Sequence, residues 1–170
     1  MSSYYNCNRR AILSPERGGG MSECTQLELP TGLTQFPHIR LGTDLVLVED
    51  VAHSISTFGD RYIRRVFTAH ESEVCRDASG EPDPSRLAAR FAAKEASIKA
   101  LGLMVGVSLT DIEIVSLPTG QPTLSLSGVP REAFKQARGF DAQVSLSHEG
   151  PYATATVVVL TYPPTPLALR

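Results

Sequence analysis

No apolar run in this chain of 170 residues reaches the roughly 18 residues that a membrane-spanning helix requires. The first residues carry no continuous apolar core of the kind a secretory signal needs, so a cytoplasmic protein is expected. An excess of one charge is also missing, because 16 basic and 18 acidic residues leave a net charge of only −2. With no long basic tract and no platform of aromatic residues, nucleic acid is not an expected partner. Cysteine is scarce. Cys7, Cys24 and Cys75 form no CxxC spacing and cannot all pair with one another. That usage points to a reducing compartment with incidental thiols and argues against a zinc site or a nucleophilic cysteine. There are no internal repeats.

What remains is ordinary globular material, 42% hydrophobic and 20% charged, in a length that suits one domain with a real core. Residues 1–37 stand apart. Gly18-Gly19-Gly20 and Thr31-Gly32 break any periodicity there, and a flexible leader or loosely packed arm is expected. A domain is expected over residues 38–160, with a proline-rich tail over 161–170.

Within that domain the alternation of Ile39–Val46 predicts a strand. Helices are predicted over Glu49–Phe58 and Asp60–Val66. The capping-box pattern Thr68-Ala69-His70-Glu71 starts another near Ala69. Strands over Ile112–Val115 and Pro122–Leu126 form a hairpin candidate. A short amphipathic helix over Arg131–Arg138, capped by Gly139, precedes strands at Asp141–His148 and Tyr152–Leu160.

The densest chemistry lies in Ser85–Gly102, a segment of good helix formers entered through Pro82-Asp83-Pro84 and stopped by Gly102. At about 100° per residue, Ala88, Ala92, Glu95 and Lys99 fall on one stripe, and Leu87, Phe91, Ile98 and Leu101 on a neighbouring apolar one. Lys94 lands among the apolar residues, with Arg90 beside it. Two readings of Glu95 and Lys99 stand at this point. One is an i, i+4 surface ion pair; the other is a metal-binding carboxylate beside a phosphate-binding ammonium. Asp44 also has two readings. It interrupts an apolar run from Leu41 to Val48, as a metal ligand would, or it is a cap aspartate between strand and helix.

Four segments in this order then resemble the 4′-phosphopantetheinyl transferases, specifically the holo-acyl-carrier-protein synthase type. They are Gly42-Thr43-Asp44-Leu45-Val46, Ala89-Arg90-Phe91-Ala92-Ala93-Lys94-Glu95-Ala96-Ser97-Ile98-Lys99-Ala100-Leu101-Gly102, Asp111-Ile112-Glu113-Ile114, and Val144-Ser145-Leu146-Ser147-His148. The resemblance implies an α+β fold with a long helix packed on a small antiparallel sheet. It also implies a homotrimer with active sites at subunit clefts. A two-domain subgroup carries an acidic residue two positions after the aspartate; Val46 occupies that place here and favours the single-domain type.

The activity implied is magnesium-dependent transfer of 4′-phosphopantetheine from coenzyme A to a serine of an apo acyl or peptidyl carrier protein, releasing 3′,5′-adenosine bisphosphate. By the same resemblance Asp44 and Glu95 are expected to bind Mg2+, and Lys99 to contact the pyrophosphate. Arg90 and His148 are expected around the nucleotide and its 3′-phosphate, with Ser147 donating to a phosphate. Lys94 either lines the nucleotide pocket or is a structural cation, and His148 is otherwise a corner residue with a local hydrogen bond. The general base is either Glu95 or a metal-bound water. A basic residue that the family often carries early in the first helix is replaced by Glu49-Asp50. Either carrier docking shifts along the chain to Arg61, Arg64 and Arg65, or the preferred carrier differs from the fatty-acid one. The competing reading is a catalytically degenerate module that only binds carrier protein or coenzyme A.

Overall fold

The computed structural model describes residues 37–163. The expectations for residues 1–36 and 164–170 lie outside the described residues, and so do Cys7 and Cys24. The described chain runs β1 (His38–Leu47), α1 (Val48–Phe58), α2 (Asp60–Val66), α3 (Ala69–Val74), α4 (Pro84–Leu101), a 3-10 turn (Leu109–Asp111), β2 (Ile112–Ser116), β3 (Pro122–Leu126), α5 (Gly128–Gln136), β4 (Gly139–Glu149) and β5 (Tyr152–Thr161). It is an α+β fold, as expected. Among the described residues no helix is long and apolar enough to cross a membrane.

The main sheet is antiparallel with order β1-β5-β4, and β2-β3 forms a separate hairpin. Helix α4 lies across one face of the main sheet and also packs against α1, β2 and α5. Its ends are set by local chemistry. Asp83 accepts hydrogen bonds from the backbone N–H groups of Ser85 and Arg86, Pro84 occupies the first turn, and Gly102 closes the helix at φ 70°. The Thr68–Glu71 capping box of α3 forms as its spacing predicts.

The closest approach in the core is β1 against α4. Gly42 is buried in β1, and a Cβ built there would lie 1.9 Å from the carbonyl oxygen of Ala96 and 2.7 Å from the amide nitrogen of Ala100. Only glycine permits this contact. On the helix side the fully or nearly fully buried residues are Ala88, Ala89, Ala92, Ala93, Ala96 and Ala100. The sheet meets them with Ala153, Ala155, Val157 and Val159 of β5. Small residues on both sides bring backbone near backbone. The expected apolar stripe is thereby corrected in part: Leu87 and Leu101 are core residues, but Phe91 and Ile98 are only partly buried.

Several boundaries also differ from expectation. Helix α5 starts at Gly128 and ends at Gln136, and the left-handed residue after it is Arg138 at φ 58°, not Gly139. A Cβ on Gly139 would meet the ring of Phe134 at 2.5 Å, so this glycine serves close packing and not a cap. Strand β5 includes Thr161, which the expected tail boundary had excluded.

The other face of the main sheet is open. Ile39, Leu41 and Leu45 stand on it at 69%, 62% and 64% exposure. The register sets Ile39 opposite Leu160 and Leu41 opposite Val158, which makes a continuous apolar surface.

Replacing Gly42 with alanine forces backbone apart along the β1–α4 seam. We expect Gly42→Ala to destabilise the fold by about 1–3 kcal/mol or more in urea denaturation. A loss below ~0.5 kcal/mol, the range of neutral surface changes, would contradict the packing described.

Candidate active site

Asp44 lies within β1, paired with Ala155 of β5, and α1 begins only at Val48. The cap reading of this aspartate is therefore corrected. Strand alternation places Asp44 on the same face as buried Gly42 and Val46, toward α4. Two hydroxyls reinforce the β1–β5 pairing around Asp44. The Thr154 hydroxyl donates to the Asp44 carbonyl at 2.8 Å, and the Thr43 hydroxyl donates to the Ala155 carbonyl at 3.0 Å.

Across the seam stands Lys99. Its Nζ lies 2.7 Å from Asp44 Oδ1 and donates also to the Thr43 carbonyl at 3.1 Å. Of the two readings of Glu95 and Lys99, the i, i+4 ion pair is not made: the Lys99 ion pair runs from helix to strand. Glu95, one turn earlier on α4, is half-buried and has no hydrogen bond or ion pair of its own among the described residues. Burial first, and the Asp44 charge second, hold its carboxyl above the ordinary glutamate range, with Lys99 opposing. Two carboxylates and one ammonium therefore share a single partly exposed seam.

This donor set suits a hard cation. Among the described residues no group of three or more His, Cys, Asp or Glu side chains could enclose a metal by itself. Magnesium does not need such a cage, since one or two carboxylates suffice when water and phosphate oxygens fill the remaining positions. The Glu95 charge, set beside Asp44 and only partly offset by Lys99, is the feature a cation would relieve.

Lys94 does something else. Its side chain and that of Glu71 are both fully buried, and Lys94 Nζ lies 2.7 Å from Glu71 Oε2. The same ammonium donates to the carbonyls of Leu109 and Ile112, so its three donors are used. Glu71 is equally occupied, accepting from the Thr68 amide at 2.9 Å and the Ile114 amide at 3.0 Å. The expectation that Lys94 lines a nucleotide pocket is corrected, because this ammonium is enclosed and saturated. Burial lowers its proton affinity, and Glu71 counters that shift. Glu71 is the residue the sequence reading missed. Its capping role was visible, but the second role of its carboxylate needs α4 and β2 beside it.

The remaining expected site residues are not brought to the seam within one chain. Arg90, five positions before Glu95, points about 140° away from it around the helix axis. It is buried, its Nη1 donates to the Arg86 carbonyl at 3.3 Å, and its Nε has no hydrogen-bond partner. His148 lies on β4 opposite Ala153, and Ser147 lies opposite Thr154. Both are exposed. Neither side chain has a hydrogen-bond partner among the described residues, so the local hydrogen bond considered for His148 is not made.

The 4′-phosphopantetheinyl transferase superfamily model matches residues 40–157. A holo-[acyl-carrier-protein] synthase of Gloeobacter violaceus is 41% identical over 124 residues, covering 72% of this chain and 93% of that protein. One from Methylorubrum extorquens strain PA1 is 43% identical over 129 residues, with the same coverage. The Helicobacter pylori holo-[acyl-carrier-protein] synthase, solved in complex with coenzyme A, is similar in structure. It has a TM-score of 0.61 and 30% identity, and the match covers 70% of this chain and 98% of that one.

The Lys94–Glu71 pair makes a separable stability prediction. Lys94→Met leaves the Glu71 carboxylate buried without its cation and should cost about 3–5 kcal/mol in chemical denaturation. Adding Glu71→Gln to that variant should recover part of the loss, because the stranded charge is gone. Equal stability of the single variant and the wild type would show that the pair is not held as described.

Proposed function

The chain belongs to the 4′-phosphopantetheinyl transferase superfamily and is an enzyme of the holo-[acyl-carrier-protein] synthase type, and from that premise we propose the reaction it performs. It transfers the 4′-phosphopantetheine arm of coenzyme A to a serine hydroxyl of an apo acyl or peptidyl carrier protein, with 3′,5′-adenosine bisphosphate as the other product. The observation that carries this reading is the convergence of Asp44, Glu95 and Lys99 at the β1–α4 seam. That convergence also disfavours a degenerate module that binds without transferring.

In phosphoryl transfer, positioning and charge neutralisation dominate. Asp44 and Glu95 are the residues that would hold Mg2+, which supplies positive charge at the pyrophosphate when bound. The Lys99 ammonium binds phosphate oxygens as a compact point charge. Glu95, half-buried at the seam and without an ion pair of its own among the described residues, is the side chain we favour as general base for the carrier serine. Arg90 suits the 3′-phosphate: its guanidinium is buried and keeps an unpartnered Nε. His148 binds beside the nucleotide, and Ser147 is a further phosphate donor.

These residues lie on separate surfaces of one chain, and a cleft between copies gathers them around one substrate. We therefore propose a homotrimer built on the open apolar face of β1 and β5. Replacing Leu41 and Leu45 together with glutamate should convert the assembly to monomer in light scattering and lower transfer with it. A wild type that is monomeric at micromolar concentration would overturn this.

For docking of the carrier, α2 presents exposed Arg61, Arg64 and Arg65, while Glu49 and Asp50 occupy the first turn of α1. The decisive test of function is incubation with coenzyme A, Mg2+ and apo-carrier proteins, read by mass spectrometry. We expect a phosphopantetheine mass gain that a chelator abolishes and that Glu95→Gln lowers by at least about a hundredfold. Charge reversal at Arg64 and Arg65 should raise KM for the carrier and leave KM for coenzyme A unchanged. A folded protein that modifies no carrier would return the reading to a binding module.

A further inference from the structure

The Lys99 ammonium already neutralises the carboxylate that a divalent cation held by Asp44 would need. The ammonium lies 2.7 Å from Asp44 Oδ1, within direct ion-pair distance. Asp44 is held at the α4 seam by the backbone of β1, an edge strand of the main sheet. It pairs with Ala155, and its carbonyl accepts the Thr154 hydroxyl at 2.8 Å. Glu95, meanwhile, has no ion pair among the described residues. As it stands, the seam has one carboxylate neutralised by the chain itself and one left open.

The two lysines of α4 that pair with acids differ in solvent access. The Lys94–Glu71 pair is 0% exposed on both sides, and Lys94 also donates to two carbonyls. The Lys99–Asp44 pair is 37% and 17% exposed. Lys99 holds one carbonyl besides Asp44, that of Thr43 at 3.1 Å. A partly hydrated ammonium on a four-carbon stem can exchange one set of oxygens for another at small cost. A saturated buried one cannot.

We infer that Lys99 is a resident counterion: it occupies Asp44 in the metal-free enzyme and leaves only when substrate phosphates offer it other oxygens. The inference rests on the Mg2+ and coenzyme A reading given above. It adds an order to that reading. A metal ion arriving alone must displace an ammonium from its own ligand and sit beside a positive charge. An ion arriving with the pyrophosphate finds the lysine drawn onto the phosphates and Asp44 released. The site thereby discriminates against free divalent cation and admits it together with the substrate.

The probe is Mn2+ without coenzyme A, titrated by the loss of its free-ion electron paramagnetic resonance signal. Lys99→Met should bind Mn2+ about three- to tenfold more tightly than the wild type, as expected from removing one partly exposed competing charge. Lys99→Gln is a second variant should the first fold poorly. Arg40→Met is the control for long-range charge. Arg40 also lies on β1 but donates to the Leu101 carbonyl and not to Asp44. Its Mn2+ affinity should stay within about twofold of wild type, the size of a screened interaction. An unchanged or weaker affinity in both Lys99 variants would overturn the inference, as would an equal gain in Arg40→Met. Asp44→Asn and Glu95→Gln separate this from the underlying reading. If those two lose Mn2+ while Lys99→Met matches wild type, only the counterion role fails. If they bind as wild type does, the metal reading of the seam fails, and the counterion role with it.

Discussion

The close approach of β1 to α4 at Gly42 is the constraint on which the site depends. No side chain fits between Gly42 and the backbone of Ala96 and Ala100. The residues next to these contact points are the ones to which we assign the chemistry. Asp44 lies two positions after Gly42 on the same strand face, while Glu95 and Lys99 immediately precede Ala96 and Ala100. Backbone contact fixes the separation and register of strand and helix. The side chains one step away then meet across the seam, with Lys99 2.7 Å from Asp44. The short Asp44 side chain meets the Lys99 ammonium because the two backbones are this near.

Helix α4 carries two ion pairs of opposite character. Lys94 and Glu71 are fully enclosed and hydrogen-bonded to the backbone of the 3-10 turn and β2 as well as to α3. Breaking such a pair strands a charge in a low-dielectric interior, which makes it a permanent fastening. Lys99 and Asp44 sit at the edge of solvent, where ion pairs are worth little and exchange readily. The first pair fixes the roll of α4 about its axis. The second is free to reorganise for a ligand.

Much of this was legible in the residues themselves. The period of Ser85–Gly102, the entry through Asp83-Pro84 and the stop at Gly102 are local properties, and α4 forms with those ends. The Thr68–Glu71 capping box and the alternation in β1, β4 and β5 are equally local. The order of Asp44, Arg90, Glu95, Lys99 and His148 along the chain was enough for the family resemblance. Helix α5 was displaced because Arg138 takes the left-handed turn while Gly139 makes room for Phe134, a distinction that depends on the packed ring.

Residue type and spacing along the chain thus determined most of the elements, and the ordered segments carried the family resemblance that implied the fold class and the site residues. They did not determine which charge meets which. By spacing alone, Lys99 could pair with Glu95 or bind phosphate, and Lys94 fell among apolar residues with no partner assigned. Tertiary structure gave Lys99 to Asp44 and Lys94 to Glu71. Helix periodicity relates only residues within one helix, whereas an ion pair answers to whichever opposite charge lies within a few ångströms. That choice was made where β1, α3 and β2 close on α4, from segments up to 55 residues apart in the chain.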